Sequence, residues 1–170
     1  MELFDAINLR RSVRKFKPIA IEPEKLEKIY NAINRAPSAG NLQAYQVYVV
    51  TDVEIKKSLA KAALDQDFLV EAPVVLVFCA VAARSKKYGK RGESLYCIQD
   101  ATIAAAYAQL AATALALSTC WVGAFDESEA INILKLPIGH RPVAMMPIGY
   151  AAESPEPTPR RAITDLIKQI

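Results

Sequence analysis

Between Asp100 and Asp126 the chain runs from Ala101 to Phe125 without a single charge. Length alone would permit a membrane span. The composition opposes it: the run is rich in alanine, with Thr102, Gln109, Thr113, Ser118 and Thr119 spread through it. Alanine gains little from lipid, and no aromatic belt flanks the segment. The pattern therefore predicts a central helix over Leu95–Leu117, buried on most sides. Its small side chains let other backbones approach closely, and such a helix also suits a subunit interface.

The 170 residues fit a single domain, 1–170, large enough to bury a core without staples. Hydrophobic residues make up 52% and charged residues 23%, which excludes gross disorder. The net charge of +3 is too mild to demand nucleic acid or an anionic membrane. Cys79, Cys97 and Cys120 form no CxxC pair, and His140 is the only histidine. A structural zinc site and a disulfide framework are both disfavoured, and a reducing cytoplasm is the expected location. The N-terminus reaches charge at once and has no apolar signal region.

Periodicity predicts a mixed fold. Glu2–Arg11 reads as an amphipathic helix with Leu3, Phe4 and Ile7 on one side. Ser12–Lys17 reads as extended. Pro23 suits the first turn of a second helix carrying Leu26, Ile29, Tyr30 and Ile33. Ala36–Asn41 is a loop by turn chemistry, and Tyr45–Thr51 a strand. Asp52 caps a helix running to about Leu64. Val74–Val81 is a continuous apolar run, the mark of a strand covered on both faces. Arg84–Gly92 reads as a polar loop, Trp121–Phe125 as extended, and Ser128–Leu136 as a helix. His140 falls in a loop, Pro137–Arg141, ahead of a strand at Pro142–Tyr150. An extended proline-bearing tail and a final amphipathic piece follow. Helices and strands do not alternate regularly, which points to α+β rather than a doubly wound sheet.

Four places could carry chemistry. Arg10, Arg11, Ser12 and Arg14 offer planar guanidinium donors and a hydroxyl, suited to phosphate or carboxylate. Local sequence equally allows a solvated edge or arginines complementing a helix dipole. Ser38, Asn41 and Gln43 are short polar groups around Gly40, able to bond a heteroaromatic edge or simply to form a turn. Arg160 and Arg161 follow the stiff tail and either reach back to a phosphate or stay solvated. Gly123, after Trp121-Val122, either closes a turn or lets backbone approach a ligand ring. No G-x-S-x-G elbow, P-loop or G-x-G-x-x-G occurs. Phosphate-ready arginines without a catalytic dyad suggest a cofactor that supplies the chemistry.

Six segments in this order resemble the nitroreductase family of flavin enzymes across the whole chain: RRSVRKF at Arg10–Phe16, APSAGNLQ at Ala36–Gln43, EAPVVLVF at Glu71–Phe78, QDATIAAAYAQLAATALALSTCWVGAF at Gln99–Phe125, PIGYAAESP at Pro147–Pro155, and PRR at Pro159–Arg161. The resemblance implies a central, mainly antiparallel sheet flanked by helices. It further implies an intertwined homodimer with FMN at the subunit interface. By position, Arg10 and Ser12 match ligands of the flavin tail, with Arg11 contributing at the same turn. Arg14 matches the residue beside the pyrimidine edge of the ring. Arg160 matches a C-terminal phosphate ligand that Arg161 assists. Ser38, Asn41 and Gln43 match the loop that reaches the partner's flavin, and Gly123 a glycine whose backbone lies near the ring. Gln66 matches a polar ring contact more loosely.

The family resemblance also implies ping-pong chemistry. NADH or NADPH reduces FMN, and a small-molecule acceptor such as a nitroaromatic, quinone or flavin is then reduced. The rival reading is a flavin carrier or redox sensor without nicotinamide turnover. A nucleic-acid binder using Arg10–Lys17 and Arg84–Arg91 is disfavoured, because only Phe16 and Tyr88 lie near those charges. The chain is short for the family, and only the Lys86–Glu93 region offers cover for a site. Five basic residues at Arg84, Lys86, Lys87, Lys90 and Arg91 either attract nicotinamide phosphates or form a solvated loop.

Overall fold

A computed structural model describes all 170 residues. The chain forms α1 (Leu3–Leu9), α2 (Pro23–Asn34), β1 (Tyr45–Val50), α3 (Val53–Ala62), α4 (Phe68–Glu71) and β2 (Val74–Val81). There follow the single turn α5 (Gly89–Arg91), α6 (Cys97–Ala114), β3 (Ser118–Thr119), α7 (Glu127–Leu134), β4 (His140–Gly149) and the short α8 (Ile163–Leu166). The strands make one antiparallel sheet in the order β1-β2-β4-β3.

All eight residues of β2 are buried, so the strand needs cover on both faces. Its alternation decides which residue meets which layer. Val74, Leu76, Phe78 and Ala80 join Met146 and Ile148 against α2 and α6. Val75, Val77 and Cys79 join Met145 against Leu59 of α3, Leu69 of α4 and Ala130 of α7. The sheet is thus the middle of three layers. Asp52 caps α3 by accepting from Ile55 N–H at 2.9 Å, as its position before the helix predicts. Asp126 does the same for α7 through Glu129 N–H at 2.8 Å.

α6 is the charge-free run in folded form. Ala101, Ala104, Ala105, Ala108 and Ala112 are fully buried. No helix of the structure is long and apolar enough to cross a membrane. α6 is shorter than the sequence pattern predicts, ending at Ala114 because Ala116 takes a left-handed conformation with φ 59°. That early turn also corrects the expectation of an extended Trp121–Phe125. The strand comes sooner, at Ser118–Thr119, and within 121–125 only Val122 bridges the sheet, to Met145.

The N-terminal extended segment covers the β3 edge. Val13 N–H donates to Thr119 O at 3.0 Å, and Lys17 N–H to Tyr150 O at 2.8 Å. Glu71 fixes the same segment by accepting from Phe16 N–H at 3.1 Å. An exposed edge is a template for aggregation, so this cover is protective.

Two further expectations change. The 82–96 segment is no loop: it coils through a 3₁₀ stretch, α5 and a π turn into α6. Gly92 permits this, because a Cβ there would collide with the Ser85 carbonyl. His140 opens β4 rather than lying in a loop, since Gly139, with φ 86°, completes the turn before it. The expected N-terminal helix forms as α1 and buries only Ala6, leaving Leu3, Phe4, Ile7 and Leu9 exposed, with Phe4 at 75%.

Two stability tests follow from this packing. Ala104→Leu overfills the α6 contact and destabilises by about 1–3 kcal/mol, read as a lower urea midpoint at constant m-value; an unchanged midpoint would mean the layers have slack. Ser85 Oγ is buried without a hydrogen-bond partner, so Ser85→Ala raises stability by about 1 kcal/mol, measurable in the same titration.

Candidate functional site

The helix-to-edge transition at residues 10–14 places its polar groups in one hollow. Arg10, Arg11, Ser12 and Arg14 line a cavity of about 290 Å³ with Pro155, Glu156, Thr158 and Arg160. None of the lining residues is hydrophobic. None of the four guanidinium groups is paired in a salt bridge. Arg160 reaches this hollow because Ala152 N–H donates to Lys15 O at 2.8 Å, turning the tail back along the edge segment. Glu153 helps by accepting from the Arg14 backbone N–H at 2.5 Å. Arg161 does not line the cavity. Arg11 is partly committed elsewhere: its guanidinium donates to Asn8 O at 2.6 Å and Arg10 O at 2.9 Å, closing the end of α1. The helix-end alternative therefore describes part of Arg11's work.

Cys120 lies under this cluster. Burial pushes its thiol pKa up, while Arg14, the Ser12 hydroxyl and Arg10 act in the opposite direction. Cys79 is more deeply enclosed, its pKa pushed up to about 12 by burial. Neither thiol is poised as a nucleophile.

The Ser38–Gln43 loop is held by a residue that local motif reading passes over. Asp100 is 2% exposed, and its carboxylate accepts from Ala39 N–H at 3.0 Å and Ala44 N–H at 3.2 Å. Its only signal in the sequence is a lone acid at the start of an uncharged helix. The loop is otherwise unusual backbone: Gly40, Asn41 and Gln43 all have positive φ, at 56°, 56° and 45°. Ser38 Oγ accepts from Gln43 N–H at 3.0 Å. The Gln43 carboxamide donates to Asn34 O and Asn34 Oδ1, both at 3.1 Å, so it faces α2. Arg84 adds a long-range tie, donating to the carbonyls of Gln43 and Tyr45. Asn41 is exposed and its side chain makes no hydrogen bond within the chain.

Ser38 lines a separate cavity of about 540 Å³ with Pro37, Ala39, Tyr96 and the start of α6. It does not meet the arginine hollow, and two rulers show why. Asp100 holds the loop at one end of α6, whereas Thr113 flanks Arg10 and Arg11 near the other. Thirteen helical residues span roughly 20 Å. Along β4, Arg141 pairs beside the loop end, and Ile148 beside the Ser12 end. Seven strand residues span roughly 23 Å. Gly123 stands apart from both, exposed, lining a small cavity with Ile98, Phe125 and Arg141. The Gln66 carboxamide steadies its neighbour, donating to Ala124 O at 3.2 Å.

Asp100→Asn leaves an amide NH₂ facing a backbone donor. It destabilises the protein by about 2–3 kcal/mol and increases hydrogen exchange at the Ala39 and Ala44 amides. Unchanged protection at both would show that Asp100 does not anchor the loop.

A family model described as the nitroreductase family matches residues 7–66 and 63–150. An FMN reductase [NAD(P)H] of Bacillus subtilis is 32% identical over 94% of this chain and 70% of its own. The structure of the NADPH:FMN oxidoreductase from Vibrio harveyi complexed with NAD+ superposes with a TM-score of 0.91 at 26% identity, covering 98% of this chain and 76% of that one. A nitroreductase family protein from Clostridium novyi is 31% identical, with a TM-score of 0.83 and coverage of 93% and 89%. This chain spans about three quarters of the Vibrio enzyme's length. The family model, which matches most of the chain, and relatives at 31–32% identity show that this chain belongs to the nitroreductase family.

Proposed function

We propose that the chain is an NAD(P)H-dependent FMN oxidoreductase that works as a homodimer, passing electrons in alternate half-reactions to an acceptor such as a nitroaromatic, quinone or free flavin. The carrying observation is the hollow at residues 10–14 and 160, where guanidinium groups free of salt bridges and a serine hydroxyl converge in a mainly polar lining. That donor set fits a phosphate-bearing tail. FMN, when bound, supplies the two-electron chemistry that the side chains of this fold lack.

Arg10, Ser12 and Arg160 hold the phosphate and ribityl end, with Arg11 and Arg161 contributing charge. Arg14 sits at the exposed mouth of the hollow and offers positive charge to the ring's pyrimidine edge. Ser38, Asn41 and Gln43 serve the ring of the partner subunit's cofactor. Asn41 has a free carboxamide for this, whereas Gln43 acts through its backbone and through the shape it gives the loop. Gly123 presents backbone to the ring from the same chain. An isologous two-fold interface brings each loop to the other chain's arginine hollow. The dimer also gives the exposed apolar residues a partner: Leu3, Phe4 and Ile7 on α1, and Ile163, Leu166 and Ile167 in the tail.

The deciding experiment is an anaerobic absorbance titration of the FMN-loaded protein with NADH and NADPH. Bleaching of the flavin bands by either donor supports the reductase. Flavin that binds and stays oxidised with both would favour a carrier or sensor, and failure to bind FMN would remove the arginine hollow from the function. Arg10→Ala and Arg160→Ala weaken FMN binding by roughly 10- to 100-fold, the effect of losing one charge-assisted bond. Arg14→Ala makes the potential of bound flavin more negative, since reduction adds negative charge near that cation. An unchanged potential in a variant that retains FMN would end that role for Arg14.

A further inference from the structure

The segment from Ala82 to Tyr96 borders the Ser38–Gln43 loop through Tyr96 and Arg84, and its other cations have no role in the site described above. Of its cations, Arg84 is committed to the Gln43 and Tyr45 carbonyls. The other four, Lys86, Lys87, Lys90 and Arg91, are exposed, and none is paired in a salt bridge. Glu93 is the only acid in the segment. A solvated loop would spread such charges apart. Here an edge-on pair of Tyr88 and Tyr96, with centroids 5.4 Å apart, backs two of them, Lys87 and Arg91, and Lys90 lies one residue before Arg91 on the same coiled backbone. Lys87 Nζ stands 5.0 Å from the Tyr88 ring centre. Arg91 lies 5.6 Å over Tyr96 and donates from Nε to its hydroxyl at 3.2 Å. The result is a supported cationic platform lacking an anion.

Its position narrows the choice of anion. A Cβ at Gly40 would collide with Tyr88 Oη and lie 2.9 Å from Lys87 Nζ. The platform therefore presses directly on the loop assigned above to the partner's flavin ring. A nicotinamide cofactor is long enough to reach from that ring to the surface beside the loop. We infer that Lys87, Lys90 and Arg91 bind the 2′-phosphate of NADPH, which makes NADPH the preferred reductant. A phosphomonoester brings nearly two charges and three acceptor oxygens at neutral pH. Flexible ammonium groups and a guanidinium fork suit it, and NADH has only a neutral hydroxyl at that position. This inference rests on the proposed reductase activity.

The test uses FMN-loaded protein and two fragments, adenosine 2′,5′-bisphosphate and 5′-AMP, titrated by calorimetry beside steady-state kinetics with both nicotinamides. The bisphosphate should bind at least about tenfold more tightly than AMP, with a margin that shrinks as salt screens the platform. In Lys87→Gln/Lys90→Gln, and separately in Arg91→Gln, that margin should fall below roughly threefold while KM for NADPH rises about tenfold at little cost to kcat. Equal binding of the two fragments by the unaltered protein would overturn the inference. So would an undiminished margin in variants with unchanged melting temperature, or tighter binding of a DNA oligonucleotide than of the bisphosphate. Flavin reduced by both nicotinamides without fragment discrimination overturns this inference alone. Flavin reduced by neither overturns the proposed activity and the inference with it.

Discussion

The close approach allowed by the alanine face of α6 fixes the rest of the molecule. Ala101, Ala104, Ala105, Ala108 and Ala112 present only methyl groups, so α2 and all four strands can pack against one helix. Interiors are packed to crystal density, and a larger residue at any of these points would displace a whole layer rather than a side chain. The helix is also the molecule's ruler. Asp100 begins it and holds the 38–44 loop; Thr113, near its end, borders the hollow that Arg10 and Arg11 line. The distance between the two polar constellations is therefore set by the length of one uncharged segment.

In the proposed dimer, that separation leaves each site to be completed by the other chain. Several guanidinium groups share one hollow without carboxylate partners, and the apolar stripe of α1 faces solvent. Both conditions cost free energy in isolation. An anion relieves the first and a second copy the second, so cofactor binding and assembly each stabilise the native state through mass action. A ligand at a hundred times its Kd contributes about 2.7 kcal/mol in this way. In the proposed dimer the two effects are coupled, since each hollow is completed by the other chain's loop.

Features with a local cause were legible in the sequence. The apolar run of β2, the 3–4 spacing of α2 and the Asp52 cap each report a rule that acts within a few residues. The sextet of segments shared with the family also placed the arginine cluster, and the structure brings Arg10, Ser12, Arg14 and Arg160 to one hollow. What stayed hidden depends on long-range contacts. Asp100 reaches back 61 residues to Ala39, and Glu153 lies 139 residues from Arg14. The coil at 82–96 needs Gly92 to sit on the Ser85 carbonyl, a contact that polarity patterns do not encode. Gln43 looked like a ligand because its residue type allows it; only the proximity of Asn34 shows where its carboxamide is engaged.

The loop at 38–43 shows how these long-range ties serve a site. Left-handed backbone at Asn41 and Gln43 is disfavoured for residues with a Cβ. It persists because Asp100 holds the amides of Ala39 and Ala44, Ser38 holds that of Gln43, and Arg84 holds the Gln43 carbonyl. With its backbone over-determined, the loop needs no side-chain contacts at its tip, and Asn41 is left free. A flexible loop would lose conformational entropy on meeting a ligand across the interface. This one has lost it during folding, at a position where Tyr88 and Lys87 also bear on Gly40. The strain and the free carboxamide are thus two sides of one arrangement: a tip made rigid by its own chain and left free to act across the proposed interface.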